Sequence, residues 1–209
     1  TLSVWLVQAG INRSTVTLFS WAGFAYAFKY LWSPLVDNYK LPFLKKLGHR
    51  KSWLLVSQIL VLISLILTAF TDPQNNLFFT ALFITFLAFF SATQDILIDA
   101  FRIESAPQSL QGPMSSMYIA GYRIAMLVAG AGSLWLAAFF GTEIYNQDVW
   151  KKVYLTMSIF MFVGIFATLS SQEPKIKKNF KKDNHLKFLL SIFFSVIGFI
   201  FLYSIIENP

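Results

Sequence analysis

The stretch Ser91-Ala-Thr-Gln-Asp-Ile-Leu-Ile-Asp-Ala-Phe-Arg102 places three charged side chains on one face of a predicted helix. Asp95 and Asp99 are four residues apart and Arg102 follows three residues later, spacings that stack side chains along a helix surface. Residues 77–90, which precede this stretch, are apolar all round, as expected of a helix in lipid. Carboxylates on such a helix are costly without a polar partner, so the stretch indicates a functional site.

The composition is that of an integral membrane protein. Hydrophobic residues make up 56% of the 209 residues and charged residues only 13%, unlike an ordinary globular domain. The formal net charge is +7, but the basic residues cluster between apolar runs, which fits membrane topology better than nucleic-acid binding. The chain has no cysteine and both histidines lie in basic loops, so the sequence predicts no metal site.

Apolar runs of about 18 to 27 residues, enough to cross a hydrocarbon core ~30 Å thick, recur along the chain. Residues 1–10 are interpreted as the end of a truncated first span, and spans are predicted at residues 15–36, 52–70, 77–102, 114–140, 153–170 and 186–206. Residues 104–113 and 141–152 are predicted to be connections, and the tryptophans near span ends predict an interfacial belt. The fold class is therefore all-α, a polytopic transmembrane helix bundle.

Loop charges set the predicted orientation and the division of the chain. Lysine and arginine are concentrated in residues 37–51 and 173–182, which are therefore predicted to be cytoplasmic. Residues 1–170 are predicted to form an N-terminal transmembrane half-bundle, and residues 171–185 a basic cytoplasmic linker. Residues 186–209 are predicted to be the first span of an otherwise missing C-terminal half.

Ionisable residues inside three predicted spans fall at a similar depth. Lys29 and Asp95 each lie seven residues before the end of their span, roughly 10 Å from the cytoplasmic side. Arg123 lies roughly 13 Å from the same side. A charge at the bilayer centre costs at least about 3 kcal/mol on insertion scales, so we expect a basic residue to pair with Asp95 or Asp99.

Two interpretations of these charges remain open. They form either a structural ion-pair lattice between helix ends or a substrate and proton site in a central cavity. Asp99 and Arg102 lie nearer the surface and favour a structural role. Candidates for the substrate and proton pathway are Lys29, Gln94, Asp95, Asp99 and Arg123.

Three motifs stand out along the chain: Lys29-Tyr-Leu-Trp-Ser-Pro-Leu-Val-Asp37, the stretch ending at Arg102, and Gly121-Tyr-Arg-Ile-Ala-Met-Leu-Val-Ala-Gly130. Together they resemble the muropeptide permease (AmpG) family of the major facilitator superfamily. They occur in the family's order and cover most of the first 170 residues. The loop after the first motif resembles the gating loop of major facilitator transporters, and the candidate gating or structural residues are Asp37, Arg50, Lys51 and Arg102.

The resemblance implies a major-facilitator-type N-terminal half-bundle in a multi-pass permease of the bacterial inner membrane. Such permeases import anhydro-muropeptides, which are sugar-peptides, with the proton as coupling ion and no other cofactor. The implied partners are the lipid bilayer, the substrate and the missing C-terminal half-bundle, and nucleic acid is not among them.

Other function classes stay open or are disfavoured. An acetyl-CoA-type or other organic-anion transporter is the alternative, because such transporters share the Gln-Asp-x-x-x-Asp pattern. A non-transporting membrane remnant is a further alternative, since a half-bundle alone cannot enclose a substrate by rocking against its partner. An enzyme is not expected, because no span contains a histidine and no nucleophile–base pair is visible.

Overall fold

The computed structural model describes residues 1–41, 44, 47–141 and 145–174, and within these ranges no strand occurs. The seventh predicted span and nearly all of the predicted linker lie outside the described residues. The helices, in chain order, are α1 (Leu2–Gln8), α2 (Arg13–Leu18), α3 (Phe24–Ala27), α4 (Ser33–Asn38), α5 (His49–Ala69), α6 (Leu77–Ser105), α7 (Gln111–Leu127), α8 (Ser133–Phe140) and α9 (Gln147–Ser170).

Four helical stretches in the described part of the chain are long and apolar enough to cross a membrane. They are α5, α6, α9 and the continuous stretch Gln108–Phe140, here called span five, which contains α7 and α8. Large apolar side chains such as Phe78 and Phe166 point outward and are more than 70% exposed. An outward apolar surface on helices of this length is the arrangement expected in lipid.

The second predicted span, residues 15–36, is not one continuous helix. The short helices α2, α3 and α4 alternate with 3-10 turns at Phe19–Gly23 and Lys29–Leu31. Aromatic residues and glycine have lower helix propensity than leucine or alanine, and they are frequent here. Pro34 lies in the first turn of α4, where its missing N–H does no harm, so a new helix starts there.

Two predicted connections are wrong in their extent. A 3-10 turn at Gln108–Leu110 leads from α6 into α7, so most of residues 104–113 is helical. At the start of α9, the Asn146 side chain accepts a hydrogen bond from the backbone N–H of Asp148, so the helix begins before the apolar run. Hydropathy marks the part of a helix that suits lipid, whereas the helix itself continues into polar residues beyond it.

The helix α5 packs between α6 and α9, and polar side chains take part in that packing. The Gln58 amide nitrogen donates to the Thr168 hydroxyl at 2.9 Å, in the contact between α5 and α9. A Cβ on Gly164 would lie 3.4 Å from the same amide nitrogen, so the glycine lets the two helices approach. Hydrogen bonds and small residues are the usual means of helix association in lipid.

An aromatic cluster joins α1 to α9. Trp5 and Trp150 are both fully buried with ring centroids 6.1 Å apart, and Trp5 lies 4.9 Å from the Tyr154 ring. The Trp150 indole donates to the Gln8 side-chain oxygen at 2.9 Å. The predicted interfacial belt is therefore wrong for these two tryptophans, whose apolar area is buried between helices instead.

The turn after α5 and the start of α9 lie at the same end of the bundle. The Tyr145 hydroxyl donates to Asp72 at 2.7 Å, and the Gln147 side chain donates to the backbone oxygen of Thr71. Burial raises the pKa of Tyr145, and the hydrogen bond to Asp72 raises it further, so the phenol stays a neutral donor at physiological pH.

This arrangement, together with the positive-inside rule, predicts which side of the membrane each end occupies. Single cysteines at Asn75 and Asn146 are expected to react with an impermeant maleimide added from the periplasm. Cysteines at Lys45 and Lys178 are expected to react only after the membrane is opened. The chain has no native cysteine, so each label reports one site. Labelling of position 178 from the periplasm would contradict the orientation.

Candidate functional site

An ion pair between the second predicted span and α6 forms the centre of the candidate site. The Lys29 ammonium lies 2.6 Å from Asp95 Oδ2 and 3.9 Å from Asp99 Oδ2, and all three side chains are partly buried. The 3-10 turn at Lys29–Leu31 carries the lysine, while the four-residue spacing puts both carboxylates on one face of α6. A charge-assisted hydrogen bond of this length is among the stronger polar contacts in proteins.

Tyr118 of α7 forms a hydrogen bond with the second carboxylate oxygen of Asp95. Its hydroxyl donates to Asp95 Oδ1 at 2.9 Å, so both oxygens of this carboxylate have partners. The Arg102 guanidinium lies 5.4 Å from the centre of the Tyr118 ring, a cation–π geometry, and donates to the Ser115 hydroxyl. Lys29, Asp95, Tyr118 and Arg102 are here called the Asp95 network.

A pair of hydroxyls extends this contact one helical turn along α6. The Tyr26 and Ser91 oxygens lie 2.6 Å apart. Tyr26 and Lys29 are three residues apart, and they face Ser91 and Asp95, which are four apart. Two successive turns of α6 therefore meet two successive turns of the second span through polar groups.

The structure brings together some of the predicted pathway residues and separates others. Lys29 and Asp95 make the ion pair, Asp99 lies beside them, and Arg102 approaches Asp99 at 3.5 Å. The Gln94 side chain makes no hydrogen bond to any described residue, although it is partly buried.

Arg123 is exposed and forms no ion pair within the described part of the chain. The interpretation that made it a counter-ion of Asp95 or Asp99 is therefore not what the described residues show. Arg123 follows Tyr118 by five residues, which rotates it by about 140° around the helix from the face that meets α6. The position of a residue along its helix indicates its depth, whereas the partner it reaches also depends on its direction around the helix.

Sequence reasoning did not single out Tyr118, Ser115 or Ser91. A usable signal was present, because Ser115 and Tyr118 are three residues apart and therefore share one face of an otherwise apolar span. Hydroxyl groups at that spacing in lipid need partners, and a neighbouring span with charges is the natural source.

A second group of charges lies where α4 ends and α5 begins. Arg50 is only 8% exposed, and its guanidinium donates to Glu104 twice, at 3.0 and 2.6 Å. It also donates to Asp37. One arginine thus joins the ends of α4 and α6 to the start of α5, and the bidentate geometry suits a planar guanidinium. Arg50, Asp37, Glu104 and Glu173 are here called the Arg50 cluster.

Glu173 and Lys51 link the start of α5 to the end of α9. The Glu173 carboxylate accepts the backbone N–H groups of Arg50 at 2.8 Å and Lys51 at 3.0 Å. The Lys51 ammonium donates to the backbone oxygens of Leu169 and Ser171, at 3.1 and 2.7 Å. An acid thus meets the positive end of one helix dipole and a lysine the negative end of another. Glu173 was assigned to the linker by sequence and was missed as part of this site.

Among the described residues, ion pairs occur in both the Asp95 network and the Arg50 cluster. The same residues include no group of three or more side chains suited to holding a metal ion. The Asp95 network can bind a proton on a carboxylate or bind a polar ligand. The Arg50 cluster holds the ends of α4 and α6, the start of α5 and the residues after α9 together.

Long apolar helices with an ion pair between α6 and the second predicted span and a salt-bridged helix connection are the features of a polytopic helical membrane protein. Residues 4–207 match the sequence profile of the Major Facilitator Superfamily. The chain therefore belongs to the Major Facilitator Superfamily, and it is a multi-pass membrane protein.

The resemblance to the muropeptide permease family is confirmed by similarity to individual proteins. The anhydromuropeptide permease of Escherichia coli is 38% identical over 175 residues, covering 83% of this chain and 33% of that protein. A Rickettsia felis protein named as transporter AmpG 4 is 38% identical over 176 residues, covering 84% and 41%. A Rickettsia prowazekii protein named as transporter AmpG 3 is 37% identical over 191 residues, covering 89% and 43%. The chain thus spans less than half the length of these relatives.

Glycine is favoured at position 48, beside the Arg50 cluster, because φ is positive there and the Glu173 side chain leaves no room for a Cβ. The φ of Gly48 is +94°, and a Cβ at this position would lie 2.3 Å from the Glu173 Cδ. Because Glu173 is fixed by two backbone N–H groups, it cannot easily move away. We predict that Gly48→Ala lowers the stability of the protein by about 1–3 kcal/mol, measured by thermal unfolding in detergent. Gly112→Ala, whose Cβ meets nothing within 4 Å, is the matched control. Equal unfolding of the two variants would contradict the argument.

Removal of one partner of the Lys29–Asp95 pair leaves an uncompensated charge at partial depth. We predict that Lys29→Ala and Asp95→Ala each reduce the amount of folded protein in the membrane or its uptake activity. The double variant is expected to lose less than the sum of the single losses, by about 0.5–3 kcal/mol in a double-mutant cycle. Additive losses would show that the observed contact contributes no coupling energy.

Proposed function

We propose that this chain forms the N-terminal half of a proton-driven secondary transporter that imports anhydro-muropeptides across the bacterial inner membrane. Similarity to a protein named anhydromuropeptide permease supports the substrate class. The single observation that carries the mechanism is the Lys29–Asp95 ion pair, held at 2.6 Å inside a membrane helix bundle.

In this proposal Asp95 is the group that carries the coupling proton. As a carboxylate it accepts hydrogen bonds from Lys29 and Tyr118. When it takes up a proton it loses its negative charge, and the attraction that holds the Lys29 ammonium disappears with it. A single proton thus alters contacts to two neighbouring elements of the bundle. Asp99, 3.9 Å from the same ammonium, is the adjacent acceptor for the displaced lysine.

Arg123 is proposed as the anchor for an anionic group of the substrate. It is exposed and has no ion pair among the described residues, so its guanidinium is available to a carboxylate. A guanidinium binds a carboxylate by two parallel hydrogen bonds. Gln94, partly buried on α6 and with no described hydrogen-bond partner, is a second candidate for substrate contact.

The Arg50 cluster, with Lys51, is proposed to close the cytoplasmic side of the half-bundle. It joins the ends of four helices through charged groups, so its opening frees those ends together. Alternating access in this superfamily also needs a second half-bundle to rock against. The proposed partners are therefore the lipid bilayer, the sugar-peptide substrate and a C-terminal half-bundle. We propose transport and no enzymatic activity, because the relatives described above are named as permeases or transporters. The proposal includes no nucleic acid and no cofactor other than the proton.

Uptake of labelled anhydro-muropeptide into proteoliposomes tests the function. The chain is assayed alone and within the longest reading frame that contains it, with and without an inward proton gradient. Gradient-dependent uptake by the longer protein is expected. Uptake of acetyl-CoA in its place would favour the organic-anion alternative, and no uptake of either compound would contradict the proposal.

The same assay tests Arg123. Arg123→Lys keeps the charge but loses the planar pair of donors, so we predict that uptake falls about tenfold or more at unchanged expression. Arg13→Lys, also at an exposed arginine, is the matched control and is expected to transport normally. Normal uptake by the Arg123 variant would remove this residue from the substrate site while leaving the transporter proposal intact.

A further inference from the structure

Span five consists of two segments that differ in how they are held. The second segment, α8, has two buried residues, Ser133 and Ala137. Ala137 packs in the same apolar cluster as Trp5 and Trp150. The first segment, α7, has no buried residue. Apolar packing therefore fixes α8 to the bundle, whereas α7 lacks a comparable buried contact within the described part of the chain.

The contacts that hold α7 to α6 are polar. Tyr118 donates to Asp95, and Ser115 accepts from Arg102. Near the turn between the helices, the Gln111 amide donates to backbone oxygens of α6 and of the residue that follows it. Ser115 and Tyr118 share one face of α7, so two of these contacts lie within one helical turn.

A π-helical segment, Val128–Gly132, joins the two parts of span five. Such a segment interrupts the regular hydrogen-bond ladder and often occurs at functional sites. The Ser133 hydroxyl donates to the backbone oxygens of Ala129 and Gly130, at 2.7 and 2.9 Å. The Thr1 hydroxyl donates to the Ala129 oxygen at 3.0 Å. Side chains thus satisfy carbonyls that would otherwise be exposed to lipid.

We propose that Val128–Gly132 is a hinge in span five, and that Tyr118 and Ser115 hold its α7 segment against α6 through Asp95 and Arg102. The hinge permits α7 to swing while α8 stays packed on α9. Tyr118 is a positioning residue, because it acts through the carboxylate of Asp95. The inference rests on this geometry and does not depend on the identity of any substrate.

The movement can be measured with pairs of spin labels in lipid nanodiscs, since the chain contains no native cysteine. Cysteines replace Met117 on α7 and Phe139 on α8, each paired with a reference cysteine in place of Phe162 on α9. All three side chains are more than half exposed. A third pair, at Ile63 on α5 and Phe162, reports on the bundle itself.

The double variant Tyr118→Phe/Ser115→Ala is expected to shift or broaden the 117–162 distance by about 3 Å. A swing of about 10° gives that displacement at a site eleven residues, or about 16 Å, from the start of the hinge. The 139–162 and 63–162 distances are expected to stay as in the parent chain. Tyr122→Phe removes an exposed hydroxyl from the same helix and serves as the matched control, with no change expected.

A second pair of substitutions tests the hinge separately. Gly130→Ala and Gly132→Ala favour regular helix, and their Cβ atoms meet nothing within 4 Å and a Val128 methyl at 3.8 Å, respectively. Added to the double variant, they are expected to restore a narrow 117–162 distance. An unchanged 117–162 distance in the double variant would overturn the proposal. Equal broadening of all three pairs, or failure of the alanines to restore it, would also overturn it.

Discussion

The negative charge of Asp95 within an apolar helix is the constraint on which the arrangement of its neighbours depends. Neither lipid nor an apolar core solvates a carboxylate, so the protein must supply the donors. Lys29 and Tyr118 supply them from two different elements, one for each oxygen. The helix α7 has no buried residue, so the hydrogen bond from Tyr118 is one of the few contacts that place it beside α6. The second span also packs on α6 through apolar contacts such as Trp32 against Phe89, and its 3-10 turn presents the lysine.

The backbone groups at helix ends also need hydrogen-bond partners, and this need organises a second part of the structure. The first N–H groups of α5 and the last carbonyls of α9 have no partners within their own helices. Glu173 and Lys51 satisfy them reciprocally, while Arg50 gathers two further carboxylates. Charges are therefore concentrated where helices end, next to the apolar cluster of Val36, Leu54 and Leu97.

Sequence reasoning predicted correctly the features that depend on a single physical quantity, such as hydropathy. Hydropathy and length identify the long helices, and the cost of a charge in lipid predicts that Lys29 meets Asp95 or Asp99. It failed where direction or distant contacts decide. Arg123 is exposed and makes no ion pair with the carboxylates of α6, and Trp5 and Trp150 pack against each other although 145 positions separate them. Glu173 looked like a linker residue because its partners are backbone groups, which no charge pattern reveals.

The proposed substrate anchor, Arg123, lies on the same segment of span five as Tyr118, so the proposed hinge and the proposed anchor belong to one helix. Arg123 lies on α7, as Tyr118 does, but on another face of the helix. Any displacement of α7 that lengthens the Tyr118–Asp95 hydrogen bond therefore also moves the guanidinium of Arg123 relative to the rest of the bundle. A proton bound at Asp95 weakens that hydrogen bond, because the acceptor loses its charge. In the proposed mechanism, proton binding at Asp95 on α6 and the placement of Arg123, the proposed substrate anchor on α7, are linked through the helix α7, without a direct contact between the two charged residues.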